Sequence, residues 1–210
     1  MAKVAINGFG RIGRAVFKIM LDTPGLEIVG LNDIVPADNL AYLPKYDTVY
    51  GRYEKAVDST ERSLIMDGRE YPVYSIKDPS QLPWKELGVD ITIESTGVFT
   101  KSEDLKKHIE AGARYVILSA PIKGDGIGTV VHGVNKPGEP AQIISCASCT
   151  TNAITPPIEI MNRRIGVKKA LMTAVHAYTA SQELVDSPSG SSQFRSRFHR
   201  SSHRDNEGVT

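Results

Sequence analysis

The chain has 210 residues, of which 40% are hydrophobic and 23% charged, and its formal net charge is +1. This length allows one to one and a half domains with a buried core, and the balanced charge argues against a nucleic-acid partner. An N-terminal signal peptide and a membrane helix are not expected, because apolar runs are short. Two cysteines cannot form the disulfide framework of a small secreted protein, so the expected location is cytoplasmic.

The order of predicted elements is typical of an α/β protein. Short apolar runs rich in β-branched residues predict strands, and apolar residues at helical spacing predict helices. The predicted strands are 3–6, 26–31, 90–94, 115–118, 129–131 and 142–144, and the predicted helices are 10–21, 37–45 and 102–111. Residues 53–76 predict a hairpin that turns at Asp67 and Gly68. Strands alternating with helices favour a mostly parallel, doubly wound sheet with right-handed crossovers.

The chain changes character after residue 148. Residues 149–165 predict a helix, in which Pro156 and Pro157 predict a kink or a late start. Residues 167–179 predict one long apolar strand that contains His176. These two elements predict the beginning of a second domain.

A glycine motif lies between the first predicted strand and the first predicted helix. Gly8, Gly10 and Gly13 form the pattern GxGxxG. The first two glycines permit a tight turn and close approach of the backbone to a pyrophosphate, and the third permits close packing of helix and strand. The helix amides and dipole would then face the phosphates. A plain glycine-rich turn is the alternative.

Asp33 supports the nucleotide-binding interpretation. It ends the second predicted strand, 20 positions after Gly13, where an acidic residue binds the hydroxyl groups of an adenosine ribose. A surface aspartate without this role is the alternative. The carboxylate would repel a 2′-phosphate, and residues 34–36 offer no arginine to compensate. The motif therefore favours NAD over NADP.

Cys146 and Cys149 admit three interpretations. A zinc site needs a second pair of ligands, which the scattered histidines do not supply in any metal-binding motif, so no metal is expected. A thioredoxin-like redox pair would lie early in a βαβ unit, not after several strands. Cys149 is also a candidate nucleophile, because it begins a predicted helix whose dipole and free amides favour a thiolate. His176 is a candidate base, although an isolated histidine is more often a core residue.

Several motifs together resemble phosphorylating glyceraldehyde-3-phosphate dehydrogenase. They are INGFGRIGR at 6–14, Asn32 with Asp33, KYD at 45–47, STG at 95–97, SAP at 119–121, SCASCTTN at 145–152 and HAYT at 176–179. The resemblance covers about residues 1–189. It implies a Rossmann-type NAD-binding domain over 1–148, followed by the truncated start of an α+β catalytic domain over 149–186.

The resemblance also implies roles for individual residues. Cys149 corresponds to the nucleophile and His176 to the base that activates it. The implied phosphate-binding residues are Ser148, Thr150 and Thr179, and the implied NAD-binding residues are Gly8, Gly10, Arg11, Ile12, Gly13, Asp33, Lys77, Ser95, Thr96, Gly97 and Ser119. Cys146 stands where many members carry asparagine and is expected to be structural. The implied partners are glyceraldehyde 3-phosphate and inorganic phosphate.

Residues 187–210 do not continue the family pattern. More than half of them are Ser, Arg or His, which predicts a disordered tail, either natural or produced by translation out of frame. Later family positions, a distal phosphate-binding arginine and an asparagine that orients the nicotinamide, have no counterpart. We therefore expect impaired turnover and the loss of most of the interface of a homo-oligomeric family.

Two further functions stay open at this point. One is an NAD-binding protein with a reactive cysteine and no sustained turnover. The other is erythrose-4-phosphate dehydrogenase, against which the HAYT motif at 176–179 argues.

Overall fold

The computed structural model describes residues 1–122, 127–138 and 141–177. Thr179 and the disordered tail predicted over 187–210 lie outside the described residues. In the described part of the chain, none of the helices has the length and apolar character needed to cross a membrane.

The described residues form strands and helices that alternate through most of the chain. The strands are β1 (Ala2–Asn7), β2 (Leu26–Asn32), β3 (Tyr46–Asp47), β4 (Gly51–Arg52), β5 (Val57–Ser59), β6 (Ser63–Met66), β7 (Arg69–Tyr74), β8 (Ile91–Glu94), β9 (Tyr115–Leu118), β10 (Gly128–Thr129) and β11 (Ile143–Ser145). The helices are α1 (Arg11–Leu21), α2 (Ala37–Lys45), α3 (Trp84–Leu87), α4 (Ser102–Glu110) and α5 (Cys149–Ile165). These bounds agree with most of the predicted elements to within one or two residues.

The strand order confirms the doubly wound, mostly parallel α/β sheet. Within the described residues the order is β10–β11–β9–β8–β1–β2–β7–β6–β5, and all neighbours from β10 to β7 are parallel. The antiparallel strands β6 and β5 extend one edge, and the predicted turn at Asp67 and Gly68 joins β6 to β7. The chain builds outward from β1 in one direction through β2, then in the other through β8. Such a reversal places the ligand crevice beyond the carboxyl ends of the central strands.

Helix α1 packs on the sheet through one face. Its buried residues are Gly13, Arg14, Phe17 and Met20, which recur at helical spacing. The Phe17 ring meets Phe9 and Tyr71 edge to face, with centroids 5.3 and 5.0 Å apart. This packing fixes the start of α1 close to the carboxyl end of β1.

The structure corrects two predictions for the second half of the chain. Residues 167–177 are not a strand, because no described strand lies beside them to accept and donate backbone hydrogen bonds. Helix α5 begins at Cys149 and runs through Pro156 and Pro157, so the late start is wrong. The hydroxyl of Ser148 caps the helix by accepting a hydrogen bond from the Thr151 N–H, which defines the first turn ahead of the prolines.

Candidate functional site

The glycine turn after β1 is held against the loop that follows β8. Gly8 has a φ of +91°, and a Cβ at this position would lie 2.5 Å from the Thr96 backbone nitrogen. A Cβ at Gly13 would overlap the Gly8 carbonyl oxygen, whereas one at Gly10 would meet nothing within 4 Å. The first and third glycines are therefore needed for packing, and the second faces open space at the helix N-terminus, where a phosphate would approach.

Asp33 is joined to the glycine turn by its own carboxylate. Oδ2 accepts a hydrogen bond from the Phe9 N–H at 2.7 Å, and Oδ1 accepts one from the Val35 N–H at 3.0 Å. The side chain is half-buried at the end of β2. The structure therefore brings the acidic residue and the glycine turn together, as the motif predicts.

The other predicted NAD-binding residues lie around the same edge of the sheet. Ser95 donates from its hydroxyl to the Gly8 carbonyl at 2.7 Å, and the Ser119 N–H donates to the Glu94 carbonyl at 2.9 Å. Ile12 is 51% exposed on the first turn of α1, and Lys77 is exposed in the loop after β7. All these positions follow the carboxyl end of a parallel strand or begin α1.

Arg11 forms an ion pair that the sequence did not predict. Its guanidinium lies 3.3 Å from Asp47, whose side chain is only 6% exposed. Burial raises the pKa of Asp47, but hydrogen bonds from the Tyr50 and Val49 N–H groups and the charge of Arg11 hold it below its usual range. The Asp47 carboxylate therefore orients Arg11 at the start of α1.

A second group of predicted site residues surrounds the N-terminus of α5. Cys149 is exposed at the first position of the helix, directly after the Ser148 cap. Asn152 donates from its amide to the carbonyl of Cys146 at 2.7 Å and to that of Ser148 at 2.9 Å. Asn152 ends the SCASCTTN motif but had no predicted role, although an asparagine in the first turn of a helix can bind the carbonyl groups of the preceding chain. These contacts hold the segment that presents the thiol.

His176 reaches this helix through Thr150. Its Nε2 lies 3.3 Å from the Thr150 Oγ1, and that oxygen lies 4.0 Å from the Cys149 Sγ. The structure thus brings the predicted nucleophile and base to the same side of the helix N-terminus, with a hydroxyl between them. Both Cys149 and His176 are exposed.

The two cysteines have different environments, and this leads to a prediction. Burial raises the pKa of the half-buried Cys146 thiol, whereas Cys149 is exposed at a helix N-terminus. Because the thiolate is the reactive form, we expect iodoacetamide to alkylate Cys149 faster than Cys146 at neutral pH. Mass spectrometry of time points measures both rates on the same sample. Unfolding the chain in denaturant is the control and should make the rates similar, and equal rates in the folded chain would contradict the prediction.

Two separate stretches of the chain match models of the same protein family. Residues 2–102 match the family model described as glyceraldehyde 3-phosphate dehydrogenase, NAD binding domain. Residues 148–202 match the model for the C-terminal domain of the same family. This second match runs past residue 189, where the motif-based resemblance ends.

Curated relatives align with most of the chain. Glyceraldehyde-3-phosphate dehydrogenase of Thermotoga maritima is 48% identical over 192 residues, which are 90% of this chain and 57% of the relative. Glyceraldehyde-3-phosphate dehydrogenase 1 of a Nostoc species is 49% identical over 191 residues, which are 89% of this chain and 56% of the relative. The enzyme of Geobacillus stearothermophilus is 47% identical over 189 residues, with 89% and 56% covered.

The chain therefore spans little more than half the length of these relatives. The identity is nevertheless high, and the two family-model matches include the glycine turn and helix α5. With matches to both family domains in the expected order, this chain belongs to the glyceraldehyde-3-phosphate dehydrogenase family.

Proposed function

We propose that the chain binds NAD beyond the carboxyl ends of β1, β2 and β8. The glycine turn at 8–13 and the loop at 95–97 together form what we call the cofactor cradle. A Cβ on Gly8 would not fit between this turn and Thr96, while the space at Gly10 is open. Asp33 lies beside the same turn as the acceptor for ribose hydroxyl groups. These features fit a dinucleotide whose pyrophosphate lies at the N-terminus of α1.

We further propose the family's reaction, the oxidative phosphorylation of glyceraldehyde 3-phosphate to 1,3-bisphosphoglycerate, which belongs to glycolysis and gluconeogenesis. The observation that carries this proposal is the exposed Cys149 thiol at a capped helix N-terminus, with His176 across Thr150. A cysteine nucleophile with a neighbouring base is the arrangement required for covalent catalysis on a carbonyl group.

The chemistry of the chain's own residues follows from this arrangement. The Cys149 thiolate adds to the aldehyde carbon, and the Cys149 N–H and the His176 imidazole donate hydrogen bonds to the resulting oxyanion. His176 can give this oxygen a proton and take it back when the hydride leaves. NAD, when bound, supplies the hydride acceptor that converts the resulting thiohemiacetal to a thioester. Inorganic phosphate then attacks the thioester carbon, forming the acyl phosphate and releasing the Cys149 thiolate. Ser148, Thr150 and Thr179 are the proposed hydrogen-bond donors to the phosphate groups.

One observation favours a second candidate function, an NAD-binding protein with a reactive cysteine and no sustained turnover. None of the residues of α5 is buried, and residues 168–177 are exposed. The nucleophile and base therefore lack the packed surroundings that hold a catalytic pair in place. Steady-state NADH formation from glyceraldehyde 3-phosphate, NAD and phosphate distinguishes the two functions, because the second gives at most one equivalent of NADH per chain.

The cofactor proposal predicts a preference for NAD over NADP. The Asp33 carboxylate accepts from the ribose and repels a 2′-phosphate, and a contact to a charged group changes affinity by about tenfold or more. Isothermal titration calorimetry with both nucleotides measures the ratio of their dissociation constants. Asp33→Ala should bring the two dissociation constants closer together. It should also weaken NAD binding, since the Phe9 N–H loses its acceptor.

Asp33→Asn is the matched control for this experiment. It removes the charge but keeps an oxygen that can accept a hydrogen bond from the Phe9 N–H. It should therefore also bring the dissociation constants of NAD and NADP closer together, but with a smaller loss of NAD affinity than Asp33→Ala. Equal affinity of the unmodified chain for NAD and NADP would show that Asp33 does not select the cofactor.

A further inference from the structure

Three buried polar side chains form a row across the carboxyl ends of the central strands. Asn7 at the end of β1 is in register with Asn32 on β2 and with Glu94 on β8. All three are at most 4% exposed. Asn32 donates from its amide to the Asn7 Oδ1 at 2.7 Å, and Asn7 donates from its amide to the Glu94 Oε2. The row connects the strand that leads to Asp33 with the strand that leads to the loop at 95–97.

The row continues into the core behind the sheet. His108 on α4 places its Nε2 3.0 Å from the Glu94 Oε2, and the Trp84 indole N–H donates to the His108 Nδ1 at 3.1 Å. All three side chains are fully buried. Because an indole can only donate, Nδ1 is the acceptor, and the proton of a neutral imidazole lies on Nε2 and points to Glu94. Trp84 therefore fixes the tautomer of His108.

The second oxygen of Glu94 holds the loop after β8. Oε1 accepts a hydrogen bond from the Thr96 N–H at 2.8 Å and another from the Thr96 hydroxyl. Each carboxylate oxygen therefore has two donors, provided by Asn7 and His108 on one side and by Thr96 on the other. A buried carboxylate is costly unless its acceptor sites are filled in this way. An uncharged side chain of the same size cannot satisfy the four donors at once.

The loop held by Glu94 forms one wall of the proposed cofactor cradle. A Cβ on Gly8 would touch Thr96, and the Ser95 hydroxyl donates to the Gly8 carbonyl. A shift of Thr96 by a few tenths of an ångström would therefore close or widen the turn that receives the pyrophosphate. The position of this wall depends on the Glu94 carboxylate, which itself makes no contact with the open space at Gly10.

We propose that Glu94 is a positioning residue for the NAD site, kept in place by the Trp84–His108 pair. The inference rests on the proposed NAD binding and adds to it the residues that set the geometry of the cradle. It assigns a cofactor-related role to a hydrogen-bonded group that lies in the core, away from the nucleotide itself.

Three variants of the 210-residue chain test the inference by calorimetry with NAD. Glu94→Gln should raise the dissociation constant of NAD about tenfold or more, because its NH₂ group must face two donors in either orientation. His108→Leu should weaken NAD binding in the same direction, since Glu94 loses one donor. His108→Gln should restore near-normal affinity, because its amide oxygen can accept from Trp84 while its NH₂ donates to Glu94.

Folding and loop position are measured separately on the same samples. Circular dichroism and the unfolding midpoint give the folded fraction of each variant. Each dissociation constant is then calculated for the folded protein only. Trp84 is the single tryptophan of the chain, so its fluorescence reports the indole hydrogen bond directly. Loss of that bond in His108→Leu should shift the emission to shorter wavelength, and His108→Gln should return it towards the wild-type spectrum.

A measurement on the wild-type chain covers the case in which Glu94→Gln does not fold. In a ¹⁵N-histidine-labelled chain, the nitrogen shifts of His108 should show the Nε2–H tautomer and should change when NAD is added. Unchanged shifts at saturating NAD, or folded Glu94→Gln and His108→Leu variants with wild-type NAD affinity, would overturn the inference. Failure of the wild-type chain to bind NAD would instead refute the proposed function, and the inference with it.

Discussion

Replacing Gly8 with alanine is expected to abolish measurable NAD binding and to lower the free energy of unfolding by about 3 kcal/mol. A left-handed backbone at φ +91° costs a non-glycine residue about 1–2 kcal/mol. The added Cβ would also lie 2.5 Å from the Thr96 nitrogen, against backbone that cannot rotate away. The wall formed by residues 95–97 must therefore move, and the cradle moves with it.

Gly25→Ala is a matched control for the backbone conformation. Gly25 has a φ of +87°, but a Cβ there meets nothing within 4 Å. The Gly25→Ala variant should lose only about 1 kcal/mol of unfolding free energy, from the backbone conformation alone, and should keep wild-type NAD affinity. Denaturant unfolding and calorimetry measure both quantities on each variant. Gly8→Ala with NAD affinity within about threefold of wild type would show that the close approach to Thr96 does not shape the site.

The 210-residue chain is expected to turn over at least about 100-fold more slowly than an ordinary dehydrogenase, for which kcat is roughly 10 s⁻¹. The reason is positional, since a catalytic pair must be held to within about half an ångström. His176 is exposed on a segment without strand partners among the described residues, and α5 contributes no buried side chain. NAD binding should persist, because the glycine turn and the loop at 95–97 directly follow strands of the packed sheet.

NADH formation from glyceraldehyde 3-phosphate, NAD and phosphate measures this turnover. Cys149→Ala is the blank, since it removes the nucleophile, and Cys146→Ala is the matched control that leaves the nucleophile in place. Any sustained rate should disappear in the first variant and persist in the second. A wild-type rate within about tenfold of 10 s⁻¹ would show that the exposed helix and histidine are held well enough for catalysis.

The predictions that succeeded depend on local patterns. The apolar run of β1 predicts a strand, and the glycine spacing predicts the turn that leads into α1. Both patterns can be recognised without knowing which parts of the chain lie beside them. The same holds for the Asp67–Gly68 turn and for the helix that begins at Cys149. The strand predicted over 167–179 is wrong for residues 167–177, because an apolar run cannot provide the neighbouring strand that it needs.

The sequence by itself determined the order of most elements and the mostly parallel sheet, and it supplied the residues proposed for both halves of the candidate site. Only the tertiary structure decided which polar side chains meet. Nothing in the local pattern around Arg11 points to Asp47, and nothing around Thr96 points to Trp84 through Glu94 and His108. These contacts join residues far apart in the chain. They form only when the sheet places its strand ends side by side, because hydrogen bonds and ion pairs act over a few ångströms and not over sequence distance.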